Sequence, residues 1–112
     1  MEGQENKLNF TKADVKETLK SVEAIIVSIN LVRAIDVYGQ DKVKDDKQEL
    51  IKVSVQNGNY DINEDEYLPY YAKDNVPENS KLGKFLLKYD KLEVSQKITL
   101  TKDKDGFYKI ET

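Results

Sequence analysis

Residues 53–62 read VSVQNGNYDI, and this stretch predicts the first of two β-hairpins that decide the fold. Valine recurs at alternate positions up to Asn57-Gly58, a pair that suits a type I′ turn because both central residues of that turn need positive φ. A two-residue loop there would place Val53 opposite Ile62. Both side chains would then share one face, since side chains alternate along a strand.

The second hairpin lies at residues 98–110, which read ITLTKDKDGFYKI. A three-residue loop, Lys104-Asp105-Gly106, with its glycine in the left-handed conformation sets Leu100 opposite Ile110. A four-residue loop would instead pair Leu100 with Lys109, and the shared apolar face would be lost. We therefore predict the three-residue loop.

Hydrophobic periodicity predicts the remaining elements. Apolar residues at intervals of three and four predict a short helix from about Lys12 to Glu23, with an irregular arm as the alternative. A period of two then predicts a long strand over 25–38, bent where Arg33 interrupts the pattern. Further strands are predicted over 50–56, 59–63, 94–102 and 107–111, a helix over 80–91, and an irregular loop over 64–79.

Composition excludes several kinds of chemistry. The 112 residues predict one domain over 11–112, preceded by a flexible tail over 1–10. The chain has no cysteine and no histidine, which removes thiol chemistry, the usual zinc ligand and the commonest general base. Two acidic stretches resemble calcium loops but lack the bidentate glutamate at the twelfth position. We therefore expect no enzymatic activity, no metal and no cofactor.

The distribution of charged and apolar residues limits the location and the classes of binding partner that we expect. The sequence shows no apolar stretch that suits a signal peptide or a membrane span, so we expect an intracellular, cytoplasmic protein. Residues 41–78 hold ten acidic and five basic residues (−5), whereas residues 79–112 hold five acidic and eight basic residues (+3). Because arginine dominates the bidentate recognition of bases, a single arginine argues against sequence-specific DNA binding. The cysteine-free, lysine- and glutamate-rich composition is compatible with a thermophile, although an AT-rich genome gives the same bias.

The order of the predicted elements resembles the OB-fold, a five-stranded barrel with a helix between its third and fourth strands. The resemblance covers about residues 24–112 and is one of topology. The extra N-terminal helix and the low arginine content depart from the family. The resemblance implies a β-rich α+β barrel that binds a ligand rather than catalyses a reaction. The main alternative is an α+β sheet with two helices on one face.

Ligands of OB-folds usually lie across strands two and three, between the first-to-second and fourth-to-fifth strand loops. In this sequence, that position corresponds to Lys42, Lys44, Lys47, Lys52, Lys102, Lys104 and Phe107. Phe107 is predicted to point outward among threonines and lysines, as a stacking platform for unpaired bases would. The alternative is a Phe107 covered by the N-terminal arm or by loop 64–79. The leading hypothesis is a small protein that binds single-stranded nucleic acid.

Loop 61–74 supports a second hypothesis, a protein–protein interaction module such as a small viral or regulatory factor. Its acidic residues 64–66 are expected to be solvated, and its Tyr67, Tyr70 and Tyr71 belong to a residue type that is enriched at interfaces. Tyr70 or Tyr71 would also serve the first hypothesis by stacking on bases. The structural alternative is that the tyrosines pack back over the end of the barrel.

Four lysines recur at helical spacing in the second predicted helix: Lys81, Lys84, Lys88 and Lys91. We interpret them as the solvated side of an amphipathic helix, opposite its apolar face. The alternative is a stripe that faces a phosphate backbone.

Overall fold

The computed structural model describes residues 8–112. Its helices are α1 (Lys12–Lys16), α2 (Ala34–Tyr38) and α3 (Lys81–Tyr89), with a 3-10 turn at Lys73–Asn75. Its strands are β1 (Ser21–Arg33), β2 (Glu49–Asn57), β3 (Ile62–Pro69), β4 (Lys97–Lys102) and β5 (Tyr108–Ile110). The tail predicted over 1–10 lies mostly outside the described residues and stays a prediction.

The five strands form one antiparallel sheet in the order β3-β2-β1-β4-β5, which curls into a nearly closed barrel. β3 and β5 are the two ends of this sheet, and they approach each other at a seam. α3 lies between β3 and β4 in the chain. The predicted OB-like barrel is therefore confirmed, in place of the open α+β sheet.

β1 serves both halves of the barrel because a β-bulge bends it between Ile26 and Ser28. Its first residues pair with β4, where Val22 lies opposite Leu100, and its later residues pair with β2. One strand therefore contributes to both sides of the core, and the sheet curls around it.

Two predicted boundaries around β1 are wrong. The helix predicted over 12–23 shortens to α1, and the strand predicted over 25–38 is β1 followed by α2. Val22 and Ile26 fit either period, since residues four apart share a face in a helix and also in a strand. In the structure, β1 pairs with β4 from Ser21 onward, so these residues belong to the strand and not to the helix.

The first hairpin forms, but its predicted register is wrong. Asn57 lies opposite Ile62, so residues 58–61 form a four-residue loop. The Asn57 Oδ1 atom accepts hydrogen bonds from the backbone N–H groups of the second and third loop residues, at 2.9 and 3.1 Å. The left-handed conformation falls on Asp61, at φ +53°, and not on Gly58. The asparagine side chain therefore organises a longer turn than a type I′ turn.

The shifted register carries acidic residues onto the inner face of β3. Val53 lies opposite Glu66, and Val55 lies opposite Glu64. Residues 64–66 thus belong to a strand, although the sequence predicts a solvated loop there. Acidic residues are uncommon in strands, so the composition of residues 64–66 predicts a loop where the structure has β3.

The second hairpin has the predicted register. Leu100 lies opposite Ile110, and Gly106 takes the left-handed conformation at φ +87°. Asp103 Oδ1 accepts hydrogen bonds of 2.9 Å from the backbone N–H groups of Asp105 and Phe107, which fixes the loop.

The core fills the barrel, and α3 packs against it. Phe85 of α3 is fully buried, and the helix presents the predicted apolar face to the core. Ser80 caps the helix, since its Oγ atom accepts a hydrogen bond of 3.0 Å from the backbone N–H of Gly83. Ala34 and Leu50 are buried as well, where α2 meets the sheet. None of the helices within residues 8–112 has the length and apolarity that a membrane crossing requires.

Candidate binding face

The outward side chains of β2 and β3 form rows across the face where OB-folds usually bind their ligands. Ser54 Oγ donates a hydrogen bond of 2.6 Å to the carboxylate of Asp65 on the opposite strand. In the next row, Gln56 Nε2 donates to Asn63 Oδ1 at 2.8 Å. In both pairs, the polar side chains therefore bind each other across the two strands. The row that contains Tyr67 differs, because it presents an aromatic ring.

A cleft of about 370 Å³ opens beside this row. Its lining residues are Tyr38, Asp65, Glu66, Tyr67, Lys81 and Lys109. Tyr38 ends α2 and is 48% exposed, whereas Tyr67 lies half-buried in β3. Lys81 begins α3, and Lys109 projects outward from β5. Four separate elements therefore bring two aromatic rings and two cations together.

The charges around the cleft are mixed. Asp65 has a partner in Lys52, whose Nζ atom lies 3.9 Å from the carboxylate. Both side chains are partly exposed, so this ion pair contributes little to stability. Among residues 8–112, neither Lys81 nor Lys109 takes part in a salt bridge. These two lysines are thus the cations available to an anionic ligand in the cleft.

Glu66 connects the cleft to the seam of the barrel. Its Oε2 atom accepts a hydrogen bond of 3.3 Å from the backbone N–H of Ile110, across the seam. Burial raises the pKa of Glu66, and the hydrogen bond and the charges of Lys109 and Lys81 offset part of that rise. The nearby charge of Glu64 raises the pKa further.

Three of the predicted nucleic-acid-binding residues, Lys42, Lys44 and Lys47, lie exposed in the loop between α2 and β2. The same loop holds three aspartates, so its formal charge is zero. One of these, Asp45, accepts a hydrogen bond of 2.9 Å from the backbone N–H of Lys47. The loop therefore presents alternating charges and no positive patch.

Lys102 is turned toward the N-terminal arm. Its Nζ atom lies 3.3 Å from the carbonyl oxygen of Glu17 and 3.5 Å from that of Lys16. It also lies 5.4 Å from the ring centroid of Tyr108. Lys102 thus fastens the end of α1 to the barrel, whereas Lys104 is exposed in the loop of the second hairpin.

Phe107 points outward, as predicted. Its side chain is 62% exposed, and it alternates with the buried Tyr108 and Ile110 on either side of Lys109. Among residues 8–112, the ring is therefore open to solvent, and neither the described part of the N-terminal arm nor residues 64–79 cover it.

The predicted tyrosine loop is divided among three environments. Tyr67 belongs to β3 and lines the cleft, whereas Tyr71 packs against the core. Tyr70 is 48% exposed just beyond the end of β3. The alternative that the tyrosines pack back over the barrel therefore holds for Tyr71.

The lysines of α3 are mostly solvated, as interpreted from the sequence. Lys88 pairs with Glu111 at 3.3 Å. Lys91, which follows the helix, pairs with Glu93 at 2.7 Å. Lys81 differs from them because the first turn of α3 places it at the cleft.

Sequence reasoning missed Tyr38 as a site residue. The period of two places it at the end of the long strand predicted over 25–38, and no local pattern links it to Tyr67. The lysines predicted on the outward face around Phe107 include Lys109, and this is the one feature of the sequence that indicates the cleft.

Within residues 8–112, no group of three or more acidic side chains is placed to hold a metal ion. Comparison of this chain with protein-family models, with curated proteins and with solved structures finds no match in any of the three.

Proposed function

We propose that the protein is a non-catalytic binding protein for single-stranded nucleic acid, which lies across the outward face of β3 and β5. One observation carries the proposal: Tyr38 and Tyr67 share a cleft with two lysines. Aromatic rings stack on bases of any sequence, and each stacked base contributes roughly 1–3 kcal/mol. Lysines beside the rings would contact the phosphates, which supply the sequence-independent part of the affinity.

Phe107 extends the proposed path along β5. It precedes Lys109 by two positions on the same outward face, so the two Cα atoms lie about 7 Å apart along the strand. A nucleic acid strand bound over Tyr67 and Lys109 would therefore reach Phe107 and Lys104 with its next nucleotides. The proposed site comprises Tyr38, Tyr67, Lys81, Lys104, Phe107 and Lys109.

A fluorescence titration with labelled oligothymidylates of increasing length, at low salt, tests the proposal. Tyr67→Ala should remove roughly 1–3 kcal/mol of binding free energy at every length. Phe107→Ala should weaken only the oligonucleotides that are long enough to reach it. Tyr70→Ala is the matched control, because Tyr70 is exposed but does not line the cleft. Absence of binding by the folded protein, or an equal loss in Tyr70→Ala, would contradict the proposal.

The exposure of Tyr70 favours one competing function, a protein–protein contact at residues 61–74. Two substitutions, Tyr70→Ala and Phe107→Ala, distinguish the two functions. A protein contact there predicts that Tyr70→Ala abolishes capture of the partner in a pull-down, and that Phe107→Ala leaves capture unchanged. Nucleic acid binding predicts the reverse dependence on these two residues.

A further inference from the structure

Glu66 lies at both the seam of the barrel and the wall of the cleft. Its side chain leaves the inner face of β3 opposite Val53 and accepts the hydrogen bond from Ile110 of β5. The same residue lines the cleft together with Lys81 and Lys109. A single carboxyl group therefore stabilises the closure of the barrel and faces the proposed ligand.

Charged and titratable groups surround Glu66 on every element packed against it. They are Glu64, Asp65 and Tyr67 of β3, Tyr108 and Lys109 of β5, Lys81 of α3, and Tyr38 of α2. On β2, the charged side chain of Lys52 pairs with the neighbouring Asp65. Lys109 and Lys81 favour the ionised carboxylate, whereas burial and Glu64 oppose it, with burial the largest effect. The hydrogen bond from Ile110 and, after it, the charges of Lys109 and Lys81 therefore support the ionised carboxylate of Glu66. A phosphate in the cleft would engage the same two lysines.

We infer, on the basis of the proposed function, that Glu66 takes up a proton when a phosphate-bearing strand occupies the cleft. The bound phosphates would engage Lys81 and Lys109, which weakens the lysines' support for the carboxylate. They would also bring new negative charge close to it. Both changes favour the protonated carboxyl group, so the affinity for the ligand depends on pH.

Proton linkage determines the direction in which the affinity changes with pH. The complex holds more protons than the separate molecules over the range in which Glu66 titrates, so binding strengthens as the pH falls through that range. For one proton, Kd changes by at most about tenfold per pH unit. Below the pKa of Glu66 in the free protein, the carboxyl group is already protonated, and the affinity levels off.

The test titrates a labelled oligothymidylate against the intact protein at fixed salt, between about pH 5 and pH 8. Thymine carries no group that titrates in this range. Glu66→Gln keeps an oxygen that can accept the hydrogen bond from Ile110, but it removes the charge. We expect this variant to bind more tightly than the parent at neutral pH and to lose the pH dependence. Glu64→Gln is the control, since it removes an equal charge from the same strand face but does not line the cleft. It should keep the pH dependence and displace it to lower pH, because the charge of Glu64 raises the pKa of Glu66.

Proton uptake gives a second measurement that does not depend on any variant. The parent protein, mixed with the oligonucleotide in weakly buffered solution containing an indicator dye, should take up a fraction of one proton per site. Equal pH dependence in the parent and in Glu66→Gln, or binding without proton uptake, would overturn the inference and leave the proposed function standing. Absence of binding at every pH would overturn both.

Discussion

Replacing Gly83 by alanine should destabilise the protein, although alanine is the better helix former. Gly83 lies in the first turn of α3, where the helix passes against the backbone of the preceding segment. A Cβ atom at this position would lie 2.0 Å from the carbonyl oxygen of Pro77 and 3.0 Å from the Cα of Glu78. Both atoms belong to the backbone, so no side-chain rotation relieves the contact.

Two effects of opposite sign determine how much Gly83→Ala changes the free energy of unfolding. Alanine is favoured over glycine in a helix by about 1 kcal/mol. Overpacking typically costs about 1–3 kcal/mol, and more where the backbone must shift. Here the helix and Pro77 must separate by about 1 Å, against the two hydrogen bonds that Ser80 makes to Gly83 and to Pro77, at 3.0 and 2.6 Å. The clash therefore outweighs the helix propensity, and we expect a net loss of about 2 kcal/mol in the free energy of unfolding.

Urea denaturation followed by circular dichroism measures this loss from the midpoint and slope of the transition. Gly58→Ala is the control, because no neighbouring atom in the described part of the chain lies within 4 Å of a Cβ built at Gly58 and its φ is not left-handed. That change should stay within about 0.5 kcal/mol of the parent. A midpoint of Gly83→Ala equal to or above that of Gly58→Ala would refute the reasoning. It would show that α3 does not approach Pro77 this closely.

Three further predictions test the second hairpin and its lysines. Leu100→Asp should cost several kcal/mol because it buries an unpaired charge, whereas Thr101→Asp on the outward face should be nearly neutral in a urea melt. Gly106→Ala should cost about 1–2 kcal/mol by the same assay, because its φ of +87° disfavours a side chain. Lys104→Gln should flatten the salt dependence of oligonucleotide binding, whereas Lys102→Gln should lower thermal stability and leave that dependence unchanged, since Lys102 Nζ contacts α1.

The two hairpins show which turns a sequence can predict. At the second hairpin, Gly106 is the one loop residue suited to positive φ without strain, and the alternative loop length would separate the apolar residues. At the first hairpin, Asn57, Gly58, Asn59 and Asp61 all tolerate the turn, so composition permits several loop lengths. The Asn57 side chain decides among them through its hydrogen bonds to the loop, and that choice is not encoded in the apolar pattern.

The candidate site was harder to predict than the barrel. The order of strands and the helix before β4 follow from local periodicity, which is why the topology could be derived from the sequence. The cleft depends instead on closure of the sheet, which brings β5 next to β3, and on α2, whose Tyr38 lines the same cleft. Tyr38 and Lys109 are far apart in sequence, and no spacing rule relates them.

The number of lysines at the cleft sets how steeply binding should depend on salt. For single strands, the slope of log K against log salt is about −0.7 for each phosphate neutralised. Contacts from Lys81, Lys104 and Lys109 would therefore give a slope of about −2. The three lysines between α2 and β2 should add little, because aspartates cancel their charge. If those lysines bound phosphates as well, the slope would approach about −4. Titrations at several salt concentrations distinguish the two values, and a slope near −4 that Lys44→Gln reduces would move the phosphate path away from the cleft to that loop.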